Sequence, residues 1–292
     1  MNTKQNDRNP VSSSVSRKRV SRGLIYHAIS WAILILFILP LVWMVSASLR
    51  QPGLAPPRII EWIPNPIAWG NYARLFDLLP VGRYALNSLI VSSLAVPLTL
   101  LTASWAGFAM AQLSARGRER LMTFSLVVLM IPVTAVWLTR YVLFAWLGWV
   151  NSYLALLAPG IMGSSPLFIL LFYWAFRRIP AELYEAARLE GAGAFVIWWR
   201  VALPLAGATL VAVGLLAFIL YWSDFITPLL YLKSQSLYTL PVGLRQLQEM
   251  DRTNWPLLMA GSVVMTTPVI VLFLIVQRYF LQESRLAGIY GQ

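Results

Sequence analysis

The chain has 292 residues, of which 59% are hydrophobic and only 12% charged, with a formal net charge of +12 and no cysteine. That balance excludes a soluble globular domain, whose surface needs more charge. The missing cysteine excludes a disulfide framework, thiolate chemistry and a Cys-ligated metal.

Several apolar runs reach the roughly 20 residues that cross a hydrocarbon core as a helix. The expected fold class is therefore an all-α integral membrane protein with six transmembrane helices. Residues 1–23 are Ser-rich and basic, without apolar periodicity, and are expected to be disordered to about Arg17. The first span covers about 24–48 and carries Pro40. A secretory signal would also follow basic residues, but its apolar core runs to roughly 7–15 residues, which favours a retained anchor here. Residues 50–83 are punctuated by Pro and Gly and read as a loop, with Trp62 and Trp69 at interfacial depth. The second span, about 84–113, is followed by the basic turn ARGRER at 115–120.

The third span, about 121–145, contains Pro132 and Arg140; the fourth, about 153–176, is loosened by Pro159, Gly160, Gly163 and Pro166. A charged segment, 177–204, separates it from the fifth span at about 205–232, which carries Asp224. Polar residues 233–254 precede the sixth span at about 255–279, so the transmembrane domain is assigned to 24–281 and a tail to 282–292.

Loops alternate sides if all six spans are real, and most of the 23 Lys and Arg then fall on one side: the N-terminus, the 115–120 turn, the 177–200 segment and the tail. Both termini are thus expected in the cytoplasm, and the chain in the cell (inner or plasma) membrane. Topology accounts for the basic charge without nucleic acid.

The 177–204 segment reads as a helix-turn-helix bracket. Pro180 suits a first helical turn, Glu182 and Glu185 face the positive end of that helix, and Gly191 and Gly193 interrupt it. Leu203-Pro204 opens the next span. Ala186 and Ala187 leave the middle without bulk, as a surface would need if a partner's groove closed over it; a surface helix lying on the bilayer would also fit the spacing.

Charged groups at membrane depth cost roughly 2.5–3.5 kcal/mol on insertion scales, so Asp224 and Arg140 need partners or water. Asp224 suits either the polar lining of a path or helix pairing. Arg140, near the outer end of its span, suits snorkelling to the headgroups. Asn87, Ser88, Ser92 and Ser93 form a polar stripe fit for interhelical hydrogen bonds or for a solute. Trp137, Tyr141, Tyr221 and Trp222 offer flat aromatic surface. His27, the single histidine, has no carboxylate or second His nearby and reads as a headgroup-level residue. No HExxH, GxSxG or Cys/His cluster occurs, and no Lys follows a Gly, so the phosphate loop of an ATPase is absent.

Glu185-Ala186-Ala187, three residues, Gly191, nine residues, Val201, one residue, Leu203-Pro204 resembles the EAA loop, E-A-A-x3-G-x9-I-x-L-P, of ABC importer membrane subunits, with Val201 in place of isoleucine. WGNYARLF (69–76), NSLIVS (87–92), YWSDFITPLLYL (221–232), LPVGL (240–244) and QRYF (277–280) extend the resemblance to the carbohydrate-uptake, maltose-type permeases over nearly the whole chain, and the length is similar to their smaller six-span subunit. The resemblance implies that the bracket couples a separate cytoplasmic ATPase to the membrane helices. It implies Glu185, Ala186, Ala187, Gly191, Val201, Leu203 and Pro204 as coupling residues, and Asp224, Trp222, Tyr221, Asn87, Ser88 and Tyr141 as candidates for the path. The implied partners are a second, homologous permease, two ATPase subunits and an external sugar-binding protein; ATP and Mg would sit on the ATPase, with no cofactor or metal in this chain and no enzymatic activity.

Two other classes would look different. An ion-gradient-driven secondary transporter would need repeated halves with matched discontinuous helices and midplane carboxylates, whereas Asp224 is the one acidic residue firmly inside an expected span. An intramembrane enzyme acting on a lipid-linked substrate would need a catalytic constellation at the membrane face, and the available Glu182, Glu185 and Glu190 fall instead in the EAA spacing.

Overall fold

The computed structural model describes residues 11–52, 61–163, 165–250 and 254–290, with side chains between 25 and 279. Residues 1–10 of the expected N-terminal tail and 291–292 of the expected C-terminal tail lie outside the described residues. All regular elements among the described residues are helical. In chain order the α-helices are α1 (Val11–Ser48), α2 (Gly70–Leu78), α3 (Val81–Gln112), α4 (Ala115–Met130), α5 (Trp137–Trp146), α6 (Leu154–Ile161) and α7 (Pro166–Arg177). They continue with α8 (Ala181–Leu189), α9 (Ala194–Ile197), α10 (Leu203–Leu205), α11 (Gly207–Trp222), α12 (Ile226–Tyr231), α13 (Leu240–Met250) and α14 (Trp255–Tyr290).

Four helical segments are long and apolar enough to cross a membrane alone: Ile25–Ser48, Val81–Gln112, Leu154–Arg177 and Trp255–Tyr279. Two bent pairs bring the number to six if each is one span: Ala115–Met130 with Val133–Trp146, bent by 86°, and Ala194–Leu205 with Gly207–Trp222, bent by 85°.

Local chemistry explains where the helices depart from the simple spans. The first begins at Val11, within the stretch expected to be disordered, because extending an existing helix costs only propagation once it is nucleated. The last continues to Tyr290, through most of the expected tail. The third span breaks after Met130: Pro132 has no N–H and its ring collides with the carbonyl four residues back, and Ile131 before it is extended at φ −74°, ψ 119°. A 3₁₀ turn, Val133–Val136, then leads into α5.

The fifth span ends at Trp222 rather than near residue 232. Ser223 Oγ donates to the Ile219 carbonyl (2.6 Å), and Asp224 Oδ1 accepts from the Thr227 amide (3.1 Å), closing the turn that starts α12. Short polar side chains that bond nearby backbone in this way compete with a continuing helix.

The long helix α3 is the central post, packed against α6, α7 and α11, while α1 lies along α14. Small residues permit the tightest approach. A Cβ on Gly107 would lie 2.8 Å from the Ile169 carbonyl oxygen and 2.8 Å from Phe172 Cβ, so α3 and α7 touch backbone to backbone there. One buried cluster at that end of the bundle joins Phe108, Phe172, Phe176, Tyr184 and Trp198. At the opposite end, Leu75, Tyr84, Trp222, Leu240 and Leu257 form a second and Val91, Phe144 and Tyr231 belong to a third. Large apolar side chains of α1, including Ile25, Leu36 and Phe37, are exposed, the pattern of a lipid-facing helix.

Candidate functional site

Three helix breaks converge on one cavity of about 830 Å³. Ile131, Pro132 and Val133 line it from the α4–α5 break, Gly163, Ser165 and Pro166 from the α6–α7 break, and Ser223, Asp224 and Ile226 from the α11–α12 break. Irregular backbone is tolerated at membrane depth where it lines a cavity, because water or a solute can then satisfy its polar groups. Thr99 and Ala103 of α3 form the rear wall, and Leu129, Val136, Phe168 and Leu220 supply much of the apolar lining. Thr99 Oγ1 and the Tyr221 hydroxyl are 3.1 Å apart. The α6 backbone closes on this pair at Gly160, where a Cβ would lie 3.1 Å from Thr99 Oγ1 and 3.2 Å from the Tyr221 oxygen.

Asp224, Arg140 and Trp137 share this cavity. The site therefore combines a carboxylate, a guanidinium, hydroxyls and an indole in an otherwise apolar enclosure, the composition of a solute pocket. Arg140, on α5 beyond the bend after Met130, lies on the wall of this cavity.

The other path candidates lie elsewhere. Asn87 Nδ2 donates to the carbonyls of Ser236 (3.0 Å) and Tyr238 (2.9 Å), and Ser88 Oγ accepts from the Leu240 amide (2.8 Å). Both side chains thus pin the 236–240 loop to α3 and are spent on structure. Trp222 is buried, stacks on Phe218, and donates from Nε1 to the Met265 carbonyl of α14 (2.8 Å). Tyr141 stacks on Tyr231 with ring centres 6.3 Å apart. Sequence reasoning missed Thr99, a hydroxyl in an apolar run too common to single out, and Ser165, whose Gly-Ser-Ser-Pro surroundings read only as a loosened helix.

At the far end of the bundle, α8 to α10 form the bracket. Helix α8 ends at Gly191, which has φ +82°, and its last carbonyls are closed by Ala192 N–H to Ala187 O (3.0 Å) and Gly191 N–H to Arg188 O (3.0 Å). This is a Schellman end, and its left-handed residue is why a glycine stands there. Tyr184 anchors α8 inward: its ring meets Phe108 edge-on and its hydroxyl donates to the Phe176 carbonyl (3.0 Å). Burial pushes that phenol up to about 12, against the lowering effect of Arg177. Arg188 Nη2 donates to Gln112 Oε1 at the end of α3.

Beyond α9 the helix widens into a π-helical stretch, Trp198–Ala202, ahead of Pro204. Pro204 offers no N–H to the carbonyl four residues back, and a wider turn relieves the ring's clash with that carbonyl. Trp198 packs edge-on to Trp105 of α3 at 4.9 Å. Glu182, Glu185, Ala186 and Leu189 remain exposed, Leu189 by 89%, while Ala187, Val201 and Leu203 are half-buried against the core.

Known proteins share this architecture. Residues 100–285 match the family model for the binding-protein-dependent transport system inner membrane component. The arabinooligosaccharides transport system permease protein AraQ of Halalkalibacterium halodurans is 32% identical over 87% of this chain and 91% of its own length. The trehalose/maltose transport system permease protein MalG of Thermococcus litoralis is 29% identical over 92% of this chain and 96% of its own. A chain from the crystal structure of a bacterial ABC transporter that imports the acidic polysaccharide alginate superposes with a TM-score of 0.72 at 20% identity, covering 90% of this chain and 98% of that one, which shows the same fold. With the family model spanning more than half of the sequence and relatives aligned almost end to end, the chain belongs to the binding-protein-dependent transport system inner membrane components.

Proposed function

We propose that the chain is the permease subunit of an ATP-driven importer that carries a sugar or related polyol-type solute into the cytoplasm by alternating access. The observation that carries this reading is the bracket: an exposed carboxylate-bearing helix tied to α3 and α7 through Tyr184, Arg188 and Trp198. A push on its outer face is transmitted to the membrane helices as a rigid-body motion, the kind of bias that flips a bistable packing.

In this reading Glu185, Ala186, Ala187 and Gly191 seat in a cleft of a cytoplasmic ATPase, and Val201, Leu203 and Pro204 join the bracket to α11. Two ATPase subunits bind ATP and Mg, a second homologous permease completes the pore, and an external binding protein delivers the cargo. Both termini face the cytoplasm. The relatives' arabinooligosaccharide and trehalose/maltose systems support a sugar as cargo. Tyr221, Asp224, Thr99 and Trp137 then offer hydroxyl partners and a flat face for a sugar ring's C–H surface.

The test is ATPase activity of the reconstituted complex with and without Glu185→Lys, alongside pull-down of the ATPase. Release of the ATPase or loss of stimulation by the binding protein, with the permease pair still assembled, is expected. Unchanged association and stimulation would remove Glu185 from the coupling surface.

A further inference from the structure

The outward face of α4 changes character along the axis. Arg116, Glu119, Arg120, Thr123, Phe124 and Val127 line an open groove of about 530 Å³. Their spacing of three and four residues places them on one stripe of the helix. All six are exposed, Phe124 by 64% and Val127 by 53%, while Met122 on another face packs into the core beside α7.

The stripe begins with two guanidiniums and ends in apolar side chains. At 1.5 Å per residue it runs roughly 16 Å, about half of the ~30 Å hydrocarbon thickness and so the depth of one leaflet. Among the described residues neither arginine makes a salt bridge, Glu119 notwithstanding. The positive end of the α4 dipole lies beside them, and Ser114 provides no side-chain cap to the first-turn amides.

We propose that this groove binds an anionic phospholipid, its phosphate held by Arg116 and Arg120 and an acyl chain lying along Phe124 and Val127. Charge complementarity and the one-leaflet length select this occupant. A zwitterionic phospholipid brings its own cation to an end where Glu119 offsets only one of the two guanidiniums, so an anionic headgroup matches the charge better, and a partner helix packed here would bury guanidiniums without a salt bridge. The inference does not depend on the coupling role of the bracket.

The experiment is native mass spectrometry of the full-length chain, alone and assembled with its transporter partners, released from nanodiscs of phosphatidylcholine containing a minority of phosphatidylglycerol. Wild type is expected to retain phosphatidylglycerol over phosphatidylcholine in both states. Arg116→Gln/Arg120→Gln should reduce that preference about 30-fold, at about one kcal/mol per basic residue near an anionic surface. Arg116→Lys/Arg120→Lys should retain most of it. Arg118→Gln, off the groove, should cost no more than about the fivefold that one basic residue near an anionic surface is worth. Equal retention of the two lipids by wild type, loss of the preference on assembly, or an Arg118→Gln effect as large as the double variant's would overturn the assignment.

Discussion

Asp224 and Tyr184 are each held in place by their own hydrogen bonds. Asp224 closes the turn that starts α12 and also lines the cavity. The two roles separate by substitution. Asn keeps an acceptor oxygen for the Thr227 amide, so Asp224→Asn should retain thermal stability while changing solute-dependent transport. Asp224→Ala should lose about 1 kcal/mol as well, the usual cost of a missing cap; a thermal melt beside an uptake assay distinguishes them.

Tyr184 carries a pH signature. Its phenol is held up to about 12 from an ordinary 10.0, so the unfolded chain loses that proton first. Burial of the neutral phenol is therefore fully favourable to the folded state below about pH 10, and that stability is lost as pH rises from there to about 12. Tyrosinate absorbance compared between wild type and Tyr184→Phe should lack a transition near pH 12 in the variant; a missing transition near pH 10 would mean that the ring is not anchored under α8.

Among elements, the bracket depends on a backbone conformation more than on side-chain bulk. A Cβ at Gly191 would meet nothing within 4 Å, so space is not what excludes a larger residue. The positive φ is, at roughly 1–2 kcal/mol for an L-residue. Gly191→Ala should accordingly loosen α8 from α9 without disturbing the membrane bundle. Hydrogen exchange should rise at 184–198 and stay unchanged in α3. The helix breaks follow the same logic. Pro132 was legible as an interruption, yet it also suited a kinked continuous span, since membrane helices tolerate Pro with help from neighbours; the Ser223-Asp224 turn lay inside the expected fifth span and emerged only from the fold.

At the scale of the whole molecule, the charged segments gather at the two ends of the bundle, with Arg188 joined to Gln112 at one end and Asn151 bonded to Ser234 at the other. The natural absence of cysteine allows orientation to be read directly. Leu189→Cys should react with a membrane-impermeant maleimide only from the cytoplasmic side, and Glu249→Cys only from outside. The reverse pattern would invert the proposed topology and with it the proposed side of the ATPase.

Hydrophobic run length and the placement of Lys and Arg determined, from sequence alone, that this protein is a membrane-spanning helical bundle with a charged bracket between its fourth and fifth apolar runs. Those signals are local, since a run of apolar residues has to leave water whatever its neighbours are. The EAA spacing was legible for the same reason, being confined to twenty consecutive residues. Only the tertiary structure decided which polar residues line a cavity. Asn87 and Asp224 both interrupt apolar surroundings, but one is consumed by the loop folded over α3 and the other opens onto a cavity that three separated breaks make together. A cavity is a property of elements distant in sequence, and no single helix records which of its faces will line it.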